Sequence, residues 1–367
     1  MKKVNHLNSE RIPEQFNIQK FQLDLMTWFQ REKRDLPWRK DRDPYKIWVS
    51  EIMLQQTRVD TVIPYFNRFI SRFPTPEALA GADEQEVLKE WEGLGYYSRA
   101  RNLQSAVKEV VEKYDGNIPD NPAELGRLKG IGPYTKGAIL SIAFNQPEPA
   151  VDGNVMRVLS RILYVEEDIA KASTKKLFEK LAREVISHDD PSSFNQGLME
   201  LGALICTPKN PQCMLCPVQE HCEAFHAGLE QTLPVKSKGK KQKIQPYYVI
   251  IAVNDHQEVL IEQRPKRGLL AGLYQFPMAP AEKRDIAQLK NWFLNEYGLR
   301  INHLELLGHE KHVFSHLVWE MDIVKASLEG GTLSLKRASW AKEEELQILP
   351  FPVSHQKIMQ YFQESTP

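Results

Sequence analysis

The stretch LKGIGPYTKGAILSIAF, residues 128–144, puts three glycines and a proline where an apolar helix is about to begin. Gly130 and Gly132 supply backbone dihedrals that other residues reach only with strain. Pro133 suits the first helical position, where no N–H is missed. The preceding PAELGRL reads as a short helix, so the unit is helix, glycine turn, helix. Its free N–H groups and positive dipole end suit a phosphate, with Thr135 and Lys136 adding donors at the mouth. A lone Gly-x-Gly turn fits an ordinary helix corner better. The surroundings change that, because VDGN follows at residues 151–154.

Working outward, 367 residues are too many for one ordinary core, and two domains are expected. The apolar fraction of 42% and charged fraction of 26% are those of a soluble globular chain. Net charge is zero, which leaves nucleic acid open, since a balanced total can hide a basic face. No run approaches the roughly 18 apolar residues of a membrane span. The opening MKKVNHLNSERIPEQF lacks the apolar core of a signal peptide, so a cytoplasmic location and no membrane partner are expected.

Up to about residue 225 the pattern is helical. Val59, Val62, Ile63 and Phe66 recur at helical spacing, as do Val155, Val158, Leu159 and Ile162. Residues 231–246, QTLPVKSKGKKQKIQP, carry five lysines and no acid, and read as an exposed linker. Beyond it YYVIIAV, a polar NDHQ turn and EVLIEQ form a candidate hairpin. An amphipathic run AQLKNWFLNEYGL follows, then the strand-like HLVWEMDIV. An all-α half is thus joined to an α+β half.

All four cysteines fall between residues 206 and 222, spaced Cys206-x6-Cys213-x2-Cys216-x5-Cys222. Such bunching points to a metal centre rather than disulfides in a reducing compartment. Tetrahedral zinc and a four-iron cubane both remain open. The single C-x2-C with long, unequal flanks favours iron–sulfur, with stapling of a loop as its leading role.

Taken with PWR, SEIMLQQT and GLGYYSRARNL, the sequences LKGIGPYTKGA, VDGNVMRV and the cysteine ending resemble the helix-hairpin-helix DNA glycosylase superfamily, and within it the adenine DNA glycosylase (MutY) family. The resemblance covers essentially the whole chain. It implies an all-α helix-hairpin-helix glycosylase domain over 1–230 with a [4Fe-4S] loop at 206–222. It further implies a basic linker over 231–246 and an α+β Nudix-like domain over 247–363 that recognises 8-oxoguanine. The implied activity is monofunctional base-excision hydrolysis of the N-glycosidic bond of adenine mispaired with 8-oxoguanine or guanine. The implied partner is double-stranded DNA holding such a mispair, bound by a monomer in a prokaryotic cytoplasm at the nucleoid. A structural cation at the hairpin is a further expectation, its identity open.

Residue by residue, the resemblance makes Glu51 the general acid at adenine N7, a role that calls for a pKa raised by an apolar pocket. On spacing alone Glu51 sits at the edge of an apolar stripe and is most simply a flank residue. Asp152 is assigned the carboxylate that stabilises the cationic sugar. It is also a natural helix cap, but Asn154, itself grouped with the catalytic residues, is free to cap instead and leave one carboxylate spare. Tyr134 stands where lyase relatives carry a Schiff-base lysine. Lys136 lies about 200° round the helix from it, so strand nicking is expected to be weak at most. Trp38, Arg39, Gln196 and Glu200 are assigned to the adenine pocket. Gln56, beside a capping-box-like TRVD, and Tyr96 are assigned to the DNA wedge that extrusion of a base requires. The hairpin residues Gly130, Gly132, Thr135 and Lys136 are assigned to phosphate. In the C-terminal half the helix DIAQLKNWFLNEYG offers Glu296 alone in place of the Nudix magnesium ligands, so hydrolysis is not expected. The HVFSH segment matches the 8-oxoguanine loop, with Phe314 as wedge, Ser315 as hydrogen-bond partner and His316 beside them.

Three competing functions remain. One is a pyrimidine-lesion glycosylase with lyase activity, disfavoured by Tyr134. Another is a catalytically silent iron–sulfur protein that binds DNA lesions, disfavoured by the joint presence of Glu51 and Asp152. The third is Nudix nucleotide hydrolysis, disfavoured by the missing acids.

Overall fold

The computed structural model describes residues 12–237, 239, 241–281 and 285–365. The opening segment and parts of the lysine-rich stretch lie outside them. The chain forms two compact units, Met1–Ala80 with Ser105–Lys238, and Gly81–Gln104 with Gly239–Pro367.

The first unit is helical. Its principal core packs the Ile18–Glu32, Gly153–Ile162, Ala172–Val185 and Pro191–Leu204 helices through Phe21, Leu25, Val158, Phe178, Phe194 and Leu201. The helical spacing of Val155, Val158, Leu159 and Ile162 places all four in that core. The Pro44–Leu54 helix is buried on nearly every side, Glu51 included, so Glu51 is not a solvated flank residue. At the next junction the Val59–Arg72 helix starts at Arg58 with no side-chain cap, so TRVD does not form a capping box.

The glycine turn joins Pro122–Leu125 to Pro133–Phe144, as read from the sequence. Only Gly130, at φ 83°, needs glycine's freedom; Gly132 has an ordinary φ of −92°. Thr135 does not sit at the mouth. It is buried, and its hydroxyl accepts from the Gln55 side chain at 3.3 Å. Lys136 instead comes within 3.9 Å of Glu148. The third glycine of the stretch, Gly137, is a close-approach residue, because a Cβ there would stand 2.0 Å from the Pro149 carbonyl oxygen.

The second unit is built on one sheet. Strands β1 (Lys243–Val253), β2 (Val259–Gln263), β3 (Tyr274–Gln275), β4 (Met278–Pro280), β5 (Leu299–Val313), β6 (Leu317–Gly331) and β7 (Ala338–Ala341) are ordered β3-β2-β1-β6-β5, with β4 on β1 and β7 on β2. β1 runs parallel to β6, and the other pairs are antiparallel. β1 begins at Lys243 and takes in the last four residues of the expected linker. Alternation along β1 sends Val249 and Ile251 to one face and Ile250 and Ala252 to the other. The first face is covered by the Val353–Ser365 helix through Ile358 and Phe362, the second by Ile286–Tyr297 through Leu289, Phe293 and Tyr297.

Segment 81–104 belongs to this second unit although it lies deep in the helical half of the sequence. Polar contacts tie it there. Lys89 donates to the Leu349 carbonyl (3.1 Å), the Phe351 N–H donates to Glu92 (2.7 Å), and Arg101 donates to the Ala271 carbonyl.

Gly137→Ala is expected to destabilise the fold by about 1–3 kcal/mol, because the added methyl meets backbone rather than a flexible side chain. Urea denaturation measures the loss, and an unchanged midpoint would contradict the close approach.

Candidate active site

The Pro44–Leu54, Pro133–Phe144, Gly153–Ile162 and Pro191–Leu204 helices meet around a cavity of about 150 Å³, open to solvent. It is lined by Glu51, Tyr134, Asp152, Asn154, Gln196 and Glu200 among others. Glu51 and Asp152, 101 positions apart in the chain, therefore face the same space. Glu51 is 5% exposed. Burial pushes its pKa up to about 7. The Tyr134 hydroxyl, donating to its Oε2 at 2.5 Å, pulls the other way, and the nearby Asp152 charge raises it further.

Asp152 is itself the cap of the Gly153–Ile162 helix: its Oδ1 accepts from the Val155 N–H at 2.7 Å. Asn154 does not take that role. Its amide donates to Asp152 Oδ2 at 3.0 Å, while its own oxygen accepts from Arg157 Nη2 at 3.0 Å. Burial raises the Asp152 pKa, and the Val155 and Asn154 donors oppose that rise. Capping thus leaves the carboxylate in the cavity and supplies the hydrogen bonds that favour its ionised form.

The pocket residues expected from sequence are present, but Glu200 is saturated. Its carboxylate is 1% exposed and receives Arg34 through Nε (2.8 Å), Nη2 (2.9 Å) and the backbone N–H (3.0 Å), with Arg39 Nη2 at 2.9 Å. Despite burial, these donors hold its pKa down at about 2. Gln196 accepts from Arg39 Nε at 3.1 Å, and Trp38 packs edge-on against Phe66. Arg34 was missed by sequence reasoning. A glutamate inside the apolar run GLMELGAL must find a cation, but nothing local says which arginine reaches it.

The four cysteines, none in a disulfide, line a separate pocket together with apolar residues such as Val158, Leu201 and Val218. Among the described residues no group of three side chains converges tightly enough for a single ion. Burial pushes the Cys216 and Cys222 thiols up to about 12. Two arginines one helical turn apart fasten the loop. Arg157 donates to the Cys206 and Gly202 carbonyls at 2.8 and 2.7 Å. Arg161, 1% exposed, donates to Cys206 Sγ (3.3 Å) and to the carbonyls of Thr207 (2.8 Å) and Leu233 (2.9 Å). Neither arginine was singled out from the sequence.

Gln56 and Tyr96, the two wedge candidates, are both exposed and both left-handed, at φ 59° and 47°. In the second unit HVFSH forms the turn between β5 and β6. Phe314 is half-buried there, its ring 4.8 Å from Trp319 and 4.6 Å from His312, whereas Ser315 and His316 are exposed. The turn lines a cavity of about 470 Å³ with Tyr96, Arg101 and Leu270. The Nudix magnesium does not fit this unit: Arg337 lies 3.2 Å from Glu262 and 3.5 Å from Glu296, so a guanidinium already bridges the two acids.

A helical unit with a glycine hairpin, paired carboxylates in a cavity and a four-cysteine loop defines a DNA glycosylase of the helix-hairpin-helix class with an iron–sulfur centre. Residues 49–184 match the HhH-GPD superfamily of base excision DNA repair proteins, 206–222 the iron-sulfur binding domain of endonuclease III, and 248–361 the NUDIX domain. The chain is 34% identical to the adenine DNA glycosylase of Rattus norvegicus over 95% of its own length and 79% of that protein. It is also 34% identical to that of Buchnera aphidicola (strain Sg) over 92% and 97%. A solved thermostable thymine-DNA glycosylase, 28% identical, superposes on 57% of the chain and 97% of its own with a TM-score of 0.51. The chain belongs to the adenine DNA glycosylase family. It is a base-excision-repair hydrolase of N-glycosyl bonds with a [4Fe-4S] cluster in the four-cysteine loop at 206–222. The relatives span mammals and bacteria, so they do not assign it to a prokaryotic nucleoid. Among the described residues no helix is long and apolar enough to cross a membrane.

A raised folded-state pKa means that Glu51 favours folding fully below its unfolded value, and that this contribution is lost as pH rises towards about 7. Glu51→Gln is therefore expected to raise the thermal midpoint relative to wild type at pH 8 more than at pH 5. An equal effect at both would contradict the buried, protonated carboxyl.

Proposed function

We propose that the protein hydrolyses adenine from duplex DNA where it is mispaired with 8-oxoguanine or guanine, after the nucleotide is flipped into the Glu51–Asp152 cavity. The observation that carries this is the meeting of two acids with different hydrogen-bond partners on one cavity, both raised by burial, with donors opposing the rise at Asp152. Glu51 is held protonated up to about pH 7, while Asp152 is held by donors that favour its charge. Glu51 delivers its proton to adenine N7 as the N-glycosidic bond lengthens. Asp152 faces the positive charge that develops on the sugar and then takes the proton that water loses as its oxygen bonds to the anomeric carbon. The Tyr134 hydroxyl orients the Glu51 carboxyl. Tyr134 has no amine and Lys136 is turned to Glu148, so no Schiff base forms and the enzyme is monofunctional.

The neighbouring parts fall into supporting roles. Trp38, Arg39 and Gln196 bound the adenine pocket, and the Arg34–Glu200–Arg39 cluster keeps it in shape. The hairpin around Gly130 and Gly132 takes a backbone phosphate. Gln56 serves as a wedge for the gap left by an extruded base, and Tyr96 as a residue that stacks in the duplex. Phe314, Ser315 and His316 read the 8-oxoguanine, which makes the second unit a recognition module. The cluster, when bound, supplies a rigid centre for the loop that Arg157 and Arg161 fasten.

Base release is measured from duplexes differing only in the base opposite adenine. Release is expected opposite 8-oxoguanine and guanine and not opposite thymine. It is expected to be abolished in Asp152→Asn and to fall with pH above about 7. Release opposite thymine at the same rate, or an Asp152→Asn protein of wild-type activity, would overturn the proposal.

A further inference from the structure

One stretch of the second unit, GLGYYSR at residues 93–99, gathers several left-handed residues. Gly93 (φ 101°), Gly95 (φ 71°) and Tyr96 (φ 47°) all lie in the left-handed region. Glycine adopts it freely. A bulky aromatic residue does so under strain, and persists there only where its surroundings over-determine it. Yet the Tyr96 side chain is 45% exposed, so burial does not hold it.

The holding group is Arg99. Its guanidinium lies over the rings of Trp91 and Tyr96, 5.5 Å from each centroid. Its Nη2 donates to the carbonyls of Leu94 (3.2 Å) and Gly95 (3.1 Å), and its backbone N–H donates to the Tyr96 carbonyl at 2.8 Å. Trp91 is fully buried, and its indole N–H also donates to the Gly95 carbonyl, at 3.3 Å. Trp91 therefore anchors the guanidinium, the guanidinium anchors the loop carbonyls, and Tyr96 rests on it from the solvent side. Only arginine combines a flat stacking face with in-plane donors in this way. Burial pushes the pKa of this cation down to about 10.

We propose that Arg99 is a positioning residue, which fixes the strained Tyr96 with its ring outward, ready to stack in the duplex beside an extruded base. This rests on the assignment of Tyr96 to the DNA wedge. The test is the single-turnover rate of adenine release by the full-length protein from an A:8-oxoguanine duplex, for Arg99→Leu, Arg99→Lys, Tyr96→Leu and the two Arg99/Tyr96 double variants. Tyr96→Leu is expected to slow release by about tenfold, the worth of one stacked base. Arg99→Leu is expected to approach that loss and Arg99→Lys to fall between, with the pH profile unmoved. Each double variant is expected to be no slower than Tyr96→Leu alone. Losses that multiply in the double variants mean a merely structural Arg99 and overturn the proposal, as does wild-type release by Arg99→Leu beside a slow Tyr96→Leu. Wild-type release by Tyr96→Leu withdraws the wedge assignment itself. Should Arg99→Leu fail to fold, Arg99→Lys carries the same comparison.

Discussion

Two carboxyl groups brought to one buried cavity are the constraint on which the rest of the helical unit depends. Two acids in a shared low-dielectric space cannot both ionise freely, and the fold resolves this by giving them different neighbours. Glu51 lies on a helix buried nearly all round and meets one hydroxyl, that of Tyr134. Asp152 sits at the start of a helix, where a backbone N–H and the Asn154 amide reach it. One acid keeps its proton near neutrality and the other is supplied with groups that favour its charge. That difference is what acid-assisted bond cleavage requires.

Holding this arrangement takes groups remote from the chemistry. Asn154 and Arg157 connect Asp152 to the Cys206 and Gly202 carbonyls, so the position of the cysteine loop and the orientation of the carboxylate are mechanically joined. Gly202 has no room for a side chain because a Cβ there would stand 2.8 Å from that of Asn154. On the other wall, Glu200 is clamped by Arg34 and Arg39, which fixes both arginines at the pocket. Removing one partner of such a buried cluster leaves an uncompensated charge, so the cluster acts as a unit.

Much of this was legible in the sequence because the signals are local. Helical spacing found the core face of Val155 through Ile162, cysteine spacing found the metal loop, and the Tyr134 substitution is a single letter. What stayed hidden depends on three-dimensional meeting points. Arg34, Arg157 and Arg161 look like ordinary surface arginines in a linear reading; only the fold shows that each ends on a buried acceptor. Likewise nothing in residues 81–104 announces that they belong with a sheet more than a hundred residues downstream. The errors had physical causes too. Thr135 and Asn154 were given the roles their side chains commonly play, at a helix mouth and at a cap, and in each case a competing partner, Gln55 or Asp152, took the hydrogen bond instead.

The most direct measurement is the titration of the Glu51 carboxyl, followed by isotope-edited infrared or carbon NMR, in the wild-type protein and in Asp152→Asn. Glu51 is predicted to titrate near pH 7 in the wild type and at lower pH once the neighbouring negative charge is gone. A Glu51 that titrates near the ordinary 4.5, or whose midpoint ignores Asp152, would contradict the paired-acid cavity.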